Sequence, residues 1–177
     1  FVLGEWVAAE GLVYGFFDES LVRPPPAGPM EEWRISCDYG TVNPASFGLW
    51  GRKNGVWYRV EEYYYDSTRA GRQKTASFLE TLRREGWRVC KADNDVLSGI
   101  RVTAELLRSG KLVICSGCRD SLREFGLYRW DPGSGRDRVL KEHDHAMDDI
   151  RYFAAMVAAG EGERGGLAAG YAEREAF

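Results

Sequence analysis

The sequence lacks long hydrophobic runs, an excess of basic residues and a secretion signal. No stretch of about eighteen apolar residues occurs, the length from which a transmembrane helix is inferred. The net charge of −3 argues against a domain that wraps nucleic acid, because such domains normally have a basic balance. The chain begins with Phe1 and has no basic stretch followed by an apolar core and a cleavage site. These absences predict a cytoplasmic fragment that crosses no membrane.

Cysteine and histidine are scarce, and their spacing does not predict a zinc site. Three of the four cysteines lie inside apolar, strand-like runs, which is typical of buried reduced thiols. The stretch "CSGC" contains one CxxC pair, but a structural zinc site needs two further ligands at a matching spacing. The two histidines lie far along the chain from this pair. The cysteines are Cys37, Cys90, Cys115 and Cys118.

Basic residues form short clusters rather than one continuous face. Such clusters are usually solvated, and the alternative is local contact with phosphate groups. The clusters are Arg69, Arg72 and Lys74; Arg83, Arg84, Arg88 and Lys91; and Arg136, Arg138 and Lys141.

The chain length predicts one domain between an N-terminal arm and a C-terminal tail. The stretch "RPPPAGP" (23–29) cannot form a helix or a central strand, so residues 1–30 are predicted to be a linker or arm. Residues 31–160 are predicted to form the domain. The Gly- and Glu-rich residues 161–177 are predicted to be a flexible tail.

Apolar periodicity predicts the element order β-β-β-α-β-α-β, followed by two more helices. The stretch "WRISCDYG" alternates as a strand does and carries Asp38 at its end, and Asn54-Gly55 joins two aromatic, β-rich runs as a hairpin turn does. A short helix, "SFLETLRREG", then precedes a strand, "WRVCKAD", that ends in Asp93. This order describes an α/β fold in which helices flank a central mixed sheet.

The stretch "EHDHAMDDIRYFAAMV" (142–157) combines an apolar helical stripe with acidic residues in its first turn. Asp144 at the start of this helix has the residue type of an N-cap. His145 and Asp148 lie three residues apart on one helical face, which is also a spacing of metal ligands. Asp149 cannot point into the same site as Asp148 from a regular helix. Capping and a cation site are both consistent with this pattern.

The three aspartates at the ends of predicted elements suggest one site. If the strands of Asp38 and Asp93 are parallel neighbours, and the last helix crosses the sheet, both carboxylates meet Asp148. Such a cluster binds two divalent cations about 3.5–4 Å apart, which activate water for phosphodiester hydrolysis. Oxygen ligands favour Mg²⁺, and a histidine such as His145 shifts the preference toward Mn²⁺.

Four separated motifs resemble, in the same order, the nuclease domain of phage terminase large subunits. The resemblance covers nearly all of residues 1 to 159 and implies a ribonuclease-H-like fold that cuts concatemeric DNA during genome packaging with Mg²⁺ or Mn²⁺. It implies that Asp38 and Asp148 are the first and last catalytic aspartates and metal ligands, and that His145 assists the metal. The motifs are "LGEWVAAEGLVYGFFD", "ISCDYGTVNPASFGLW", "LYRWDP" and "EHDHAMDDIRYF".

The same resemblance implies the partners and the location. Double-stranded DNA would be the substrate, the small terminase subunit and the portal protein would be partners, and an ATPase domain would lie on the same chain. The site of action would be the cytoplasm of the bacterial host, for a phage or a prophage. The sequence has no GxxxxGK[ST] loop, so these residues alone would cut DNA without powering its translocation.

The sequence departs from the family at the second catalytic aspartate. Similar domains usually have, after the hairpin and its basic loop, a helix and a central strand that ends in a "DP(S/A)A"-like motif. Here "GRQKT" continues directly into "ASFLETLRREGW". Either a helix and a strand are missing between Thr75 and Ser77, as alignment with the family favours, or Asp93 supplies the second acid, as the predicted topology favours.

Two competing functions stay open. The first is a catalytically silent module that binds DNA or docks on the portal and keeps two acids of a former three. The second is another ribonuclease-H-like enzyme, such as a junction resolvase or a transposase, against which the "LGEW" arm argues.

Overall fold

A computed structural model describes most of the chain. The described residues are 11–39, 45–65, 80, 83–86, 89–134, 138–160 and 167–171. No helix within these ranges is long and apolar enough to cross a membrane.

The described residues form one mixed sheet of seven strands in the order β1-β6-β4-β3-β2-β7-β5. Strands β2, β3 and β4 are antiparallel, and the pairs β1–β6, β4–β6, β2–β7 and β5–β7 are parallel. The predicted α/β class with a central mixed sheet is therefore confirmed. The strands are β1 (Val22–Arg23), β2 (Glu32–Tyr39), β3 (Ala45–Lys53), β4 (Val56–Tyr65), β5 (Val89–Lys91), β6 (Leu112–Cys115) and β7 (Leu167–Tyr171).

The hairpin of β3 and β4 forms where its turn residues predict it. Asn54 and Gly55 have φ angles of 51° and 75°. Positive φ at both central residues is what a tight hairpin turn needs, and Asn and Gly adopt it at low cost.

Three described helices follow the predicted order along the chain. They are α1 (Val96–Arg108), α2 (Arg119–Phe125) and α3 (His145–Ala158). Glu80, Arg83 and Arg84 are also helical, as the stretch "SFLETLRREG" predicts. Helix α3 packs against β2 and β3, and α1 packs against α3 and β6. The core lies between these helices and the sheet, where Trp50 of β3 stacks on Phe153 of α3 with ring centroids 4.0 Å apart.

The N-terminal boundary differs from the predicted one. Residues 11–23 pack on the domain, although the sequence predicted a linker or arm over 1–30. Tyr14 and Phe17 are buried in the core, where Phe17 stacks on Phe125 at 3.9 Å between centroids, and β1 pairs with β6. These aromatic side chains are buried, which holds their stretch on the domain. The stretch has no clear apolar period, so the sequence pattern did not predict this packing.

The C-terminal boundary also differs. The sequence predicted a flexible tail over 161–177, but β7 within it pairs with β2 on one side and with β5 on the other. The backbone hydrogen bonds of two neighbouring strands hold β7 in place, although Ala and Gly are weak strand formers.

The position of β7 separates the strands of two predicted site residues. Asp38 lies on β2 and Asp93 follows β5, and the sequence interpretation required these strands to be neighbours. They are parallel, but β7 lies between them. Adjacent strands are about 4.8 Å apart, so the two strands are roughly 10 Å apart.

Candidate functional site

Asp38 lies at the carboxyl end of β2, on the sheet face that α3 covers. Side chains alternate along a strand, so Asp38 shares this face with Ser36, which lowers the pKa of Asp149 on α3. The Asp38 side chain is buried, and its Oδ1 atom has no hydrogen-bond partner within the described part of the chain. Burial raises the pKa of Asp38 to about 6. The hydrogen bond with His145 lowers this pKa, and the charges of Asp148 and Asp149 raise it further.

His145 is the first residue of α3 and faces Asp38. Its Nδ1 atom lies 3.6 Å from Asp38 Oδ2. The Asp38 carboxylate raises the pKa of His145, and burial of the ring opposes that rise. The fold therefore brings Asp38 and His145 together, two of the residues that the sequence suggested for the site.

Asp148 lies in the first turn of α3 and is held by two cationic side chains. Its Oδ1 atom accepts hydrogen bonds from Arg151 Nη2 at 3.2 Å and Nε at 3.3 Å. Its Oδ2 atom lies 3.4 Å from Lys141 Nζ. Arg151 is buried beside α1, where a Cβ atom on Gly99 would lie 2.4 Å from Arg151 Cγ. Glycine at this position therefore leaves the space that Arg151 needs to reach Asp148.

Glu124 of α2 caps the start of α3, although the sequence suggested Asp144 for this role. Asp144 occupies the N-cap position without a side-chain capping bond. Instead, Glu124 Oε2 accepts the backbone N–H of Ala146 at 2.8 Å, and its Oε1 accepts the hydroxyl of Tyr64 at 2.8 Å. Burial raises the pKa of Glu124, and the bond from Tyr64 opposes the rise.

Asp149 points away from Asp148 into the interior. Its Oδ2 atom lies 2.7 Å from Arg59 Nη1, and both side chains are fully buried. The two adjacent aspartates thus have different environments, as the sequence analysis predicted. The sequence did not reveal Arg59 as the partner, because Arg59 lies on a strand far away in the chain.

Asp93 lies outside this cluster. It is exposed, and its Oδ1 atom accepts the backbone N–H of Asp95 at 2.9 Å. Asp95 in turn caps α1 through Ser98 N at 2.9 Å. Asp93 therefore lies in the loop before α1, and the described residues do not bring it to Asp38. The other explanation for the second acid concerns residues between Thr75 and Ser77, which lie outside the described residues.

The chemistry of this site fits part of a divalent-cation site. Two carboxylates and an imidazole are ligands that Mg²⁺ and Mn²⁺ accept, and the buried Asp38 Oδ1 is an acceptor without a partner among the described residues. Both oxygens of Asp148 already contact cationic side chains. Across the described ranges, no three His, Cys, Asp or Glu side chains are grouped so that they could hold one ion.

Two residues of the site were missed in the sequence analysis. Arg151 follows Asp148 by three residues, a helical spacing at which an ion pair could have been predicted. Glu124 gives no such signal, because its contacts with Ala146 and Tyr64 join distant parts of the chain.

Comparison with known proteins identifies a family. The family model described as the terminase RNaseH-like domain matches residues 47–157. The structure of a large terminase from a thermophilic bacteriophage, in complex with ADP, is 37% identical, with a TM-score of 0.75, and the match covers 88% of this chain and 47% of that chain. This chain thus spans about half the length of that terminase. A search of curated proteins finds no match.

Two more distant structures show the same fold. The nuclease domain of the P22 large terminase is 15% identical with a TM-score of 0.61, over 86% of this chain and 95% of that chain. The large terminase nuclease from thermophilic phage G20c, with bound cobalt, is 14% identical with a TM-score of 0.54, over 84% of this chain and 98% of that chain.

Proposed function

Because this chain belongs to the terminase RNaseH-like domain family and has the fold of a large-terminase nuclease domain, we propose that it is a metal-dependent DNA endonuclease. It cuts concatemeric phage or prophage DNA during genome packaging. The observation that carries this proposal is the approach of His145 Nδ1, at the start of α3, to within 3.6 Å of Asp38 Oδ2 at the end of β2. Asp148 lies three residues later in the first turn of α3, where its charge raises the pKa of Asp38. The carboxylates come from separate elements and share a buried setting.

Asp38, Asp148 and His145 are the residues that would hold Mg²⁺ or Mn²⁺. A bound pair of such ions supplies an activated water and stabilises the charge on the leaving oxygen. The cobalt in the G20c nuclease structure supports the use of divalent ions in this fold. The raised pKa of Asp38 means that burial makes its charged form less favourable than that of a solvated aspartate, and a bound cation would favour the charged form.

Basic side chains next to the carboxylates would hold the DNA backbone. Lys141 is exposed and bridges the edge of the site, with its Nζ atom 3.6 Å from Asp144 and 3.4 Å from Asp148. Arg138 is exposed three residues earlier. Contacts of this kind bind phosphates without reading bases, so we infer cleavage with little sequence preference. The proposed partners are double-stranded DNA, the small terminase subunit, the portal protein and an ATPase domain of the same protein, in the bacterial cytoplasm.

Cleavage of supercoiled plasmid tests the proposal. The purified chain should nick and linearise plasmid with Mn²⁺ or Mg²⁺, and Asp38→Ala and Asp148→Ala should each lower the rate by about 10²–10³-fold, the usual effect of removing one electrostatic element. Asp93→Ala is the matched control, because Asp93 is exposed and lies two strands from β2. Its rate should equal that of the parent. A folded parent that does not cut with either ion would contradict the proposal, and loss of cleavage in Asp93→Ala would return Asp93 to the site.

One observation favours a silent DNA-binding or portal-docking module as the second candidate. Both oxygens of Asp148 are paired with Arg151 and Lys141, and among the described residues no three His, Cys, Asp or Glu side chains are grouped so that they could hold one ion. For this candidate, Mn²⁺ would neither raise the melting temperature nor promote cleavage, while plasmid binding in a gel-shift assay would persist.

A further inference from the structure

A fully buried ion pair lies beneath the proposed nuclease centre. Arg59 of β4 and Asp149 of α3 are both 0% exposed, with 2.7 Å between Nη1 and Oδ2. The Ser46 hydroxyl donates to the same Asp149 oxygen at 3.2 Å. Asp149 therefore ties α3 to β3 and β4 at once.

The sheet provides a close-fitting channel for the Arg59 side chain. A Cβ atom on Gly48 would lie 1.8 Å from Arg59 Nη1 and 2.9 Å from Ser36 Oγ. The indole of Trp50 donates to Ser36 Oγ at 2.7 Å and also lies 5.5 Å from the Arg59 guanidinium carbon. The guanidinium thus has one well-defined location, which fixes where Asp149 can lie.

The position of Asp149 determines the direction of Asp148. An α-helix has 3.6 residues per turn, so neighbouring side chains point about 100° apart. With Asp149 held toward β3 and β4, Asp148 points in another direction, where Arg151 and Lys141 contact its carboxylate and its charge raises the pKa of Asp38. One turn later on the same side, Phe153 stacks on Trp50 at 4.0 Å. The stacking of Phe153 on Trp50 fixes the position of the middle of α3, and the ion pair fixes the rotation of its first turn.

A net gain in folding stability does not explain why a buried ion pair is present here. Removing two charges from water costs about as much as their attraction returns, so an apolar pair of similar size is often equally stable. Polar pairs in a core are instead known to specify one arrangement among several in some proteins.

We propose that Arg59 and Asp149 are positioning residues that fix the rotation of the first turn of α3 and thereby fix the directions of His145, which lies 3.6 Å from Asp38, and of Asp148. The inference rests on the proposed nuclease function only where it assigns a catalytic use to this geometry. The rotation itself is a property of the metal-free protein.

The test replaces the ion pair with apolar side chains of similar size. The double variant Arg59→Met/Asp149→Leu should fold and unfold cooperatively, as judged by circular dichroism. In nuclear magnetic resonance spectra without metal, the amides of His145 and Asp148 should shift or broaden, while the nuclear Overhauser contacts between Trp50 and Phe153 persist. In plasmid cleavage, kcat should fall at least tenfold with KM for DNA unchanged.

A matched control and a second variant keep the test decisive. Arg123→Met/Asp120→Leu removes a surface pair of 3.2 Å whose side chains are about half exposed, and it should leave both readouts unchanged. If the double variant does not fold, Asp149→Asn keeps the shape and should perturb the same amides. Unchanged His145 and Asp148 amides in a folded variant would overturn the inference. A parent that does not cut DNA would contradict the proposed function alone, because the amide readout needs no cleavage.

Discussion

At the scale of the residue, Asp38 combines a buried carboxylate with a place at the end of a strand. Its pKa rises from 3.8 to about 6, chiefly through burial. Between pH 3.8 and about 6, the folded protein therefore holds a proton on Asp38 that the unfolded chain has already released. Stability due to Asp38 is therefore fully present below pH 3.8 and declines as the pH rises through about 6.

Asp38→Asn should therefore stabilise the metal-free protein at pH 8. A shift of about two pKa units corresponds to roughly 3 kcal/mol at most, and loss of the His145 contact offsets part of this gain. The free energy of unfolding in urea, measured with a chelator present, should be higher in the variant, and its decline between pH 4 and 6 should be smaller than in the parent. Asp93→Asn, at an exposed position, should match the parent within about 0.5 kcal/mol. A variant no more stable than the parent at pH 8 would show that the Asp38 charge is better solvated than its surroundings indicate.

At the scale of the element, α3 depends on a cap from another helix. Glu124 accepts the Ala146 N–H and the Tyr64 hydroxyl, and both bonds lie in or beside the core. By contrast, α1 is capped locally by Asp95. The two helices therefore offer a comparison between a distant cap and a local one.

Glu124→Ala should lower the free energy of unfolding by about 2–4 kcal/mol, because it leaves two donors without partners in a buried setting. Asp95→Ala should lower it by about 1 kcal/mol, the usual cost of an exposed N-cap. Urea unfolding of both variants, with Glu124→Gln as the variant that keeps an acceptor oxygen, measures the difference. An effect of Glu124→Ala no larger than that of Asp95→Ala would contradict the role of Glu124 as the cap of α3.

The sequence could predict the presence of α3 but not its surroundings. Met147, Ile150 and Ala154 have the spacing of a core stripe, and all three are buried. Asp148 and Asp149 are buried as well, because Arg151 and Arg59 compensate their charges. Periodicity along the chain reports which residues are apolar. It does not report a cationic partner on a distant strand, so the division of roles between the two aspartates had to come from the fold.

At the scale of the whole molecule, β7 is the element that the sequence analysis missed. Its residues, "LAAGY", include small side chains that are uncommon in strands, and they do not alternate. Their strand conformation depends on the backbones of β2 and β5, which offer donors and acceptors on both sides. Because β7 lies between β2 and β5, it also separates Asp93 from Asp38. One unpredicted strand therefore also changes the predicted site. By contrast, β2 and the β3–β4 hairpin were predictable because alternation and the Asn54-Gly55 turn are local signals.

Removal of β7 should therefore destabilise the whole sheet. A chain that ends at residue 160 leaves β2 and β5 without the strand that joins them, and exposed edges of this kind promote association between chains. We expect its free energy of unfolding to fall by at least about 3 kcal/mol, since several backbone hydrogen bonds of about 0.5–1.5 kcal/mol each are lost, and light scattering should detect association. A chain that ends at residue 171 keeps β7 and should behave as the full chain does. If the chain ending at 160 is as stable and monomeric as the full chain, β7 does not pair with the sheet in solution, and β2 and β5 are then free to accept a different central strand.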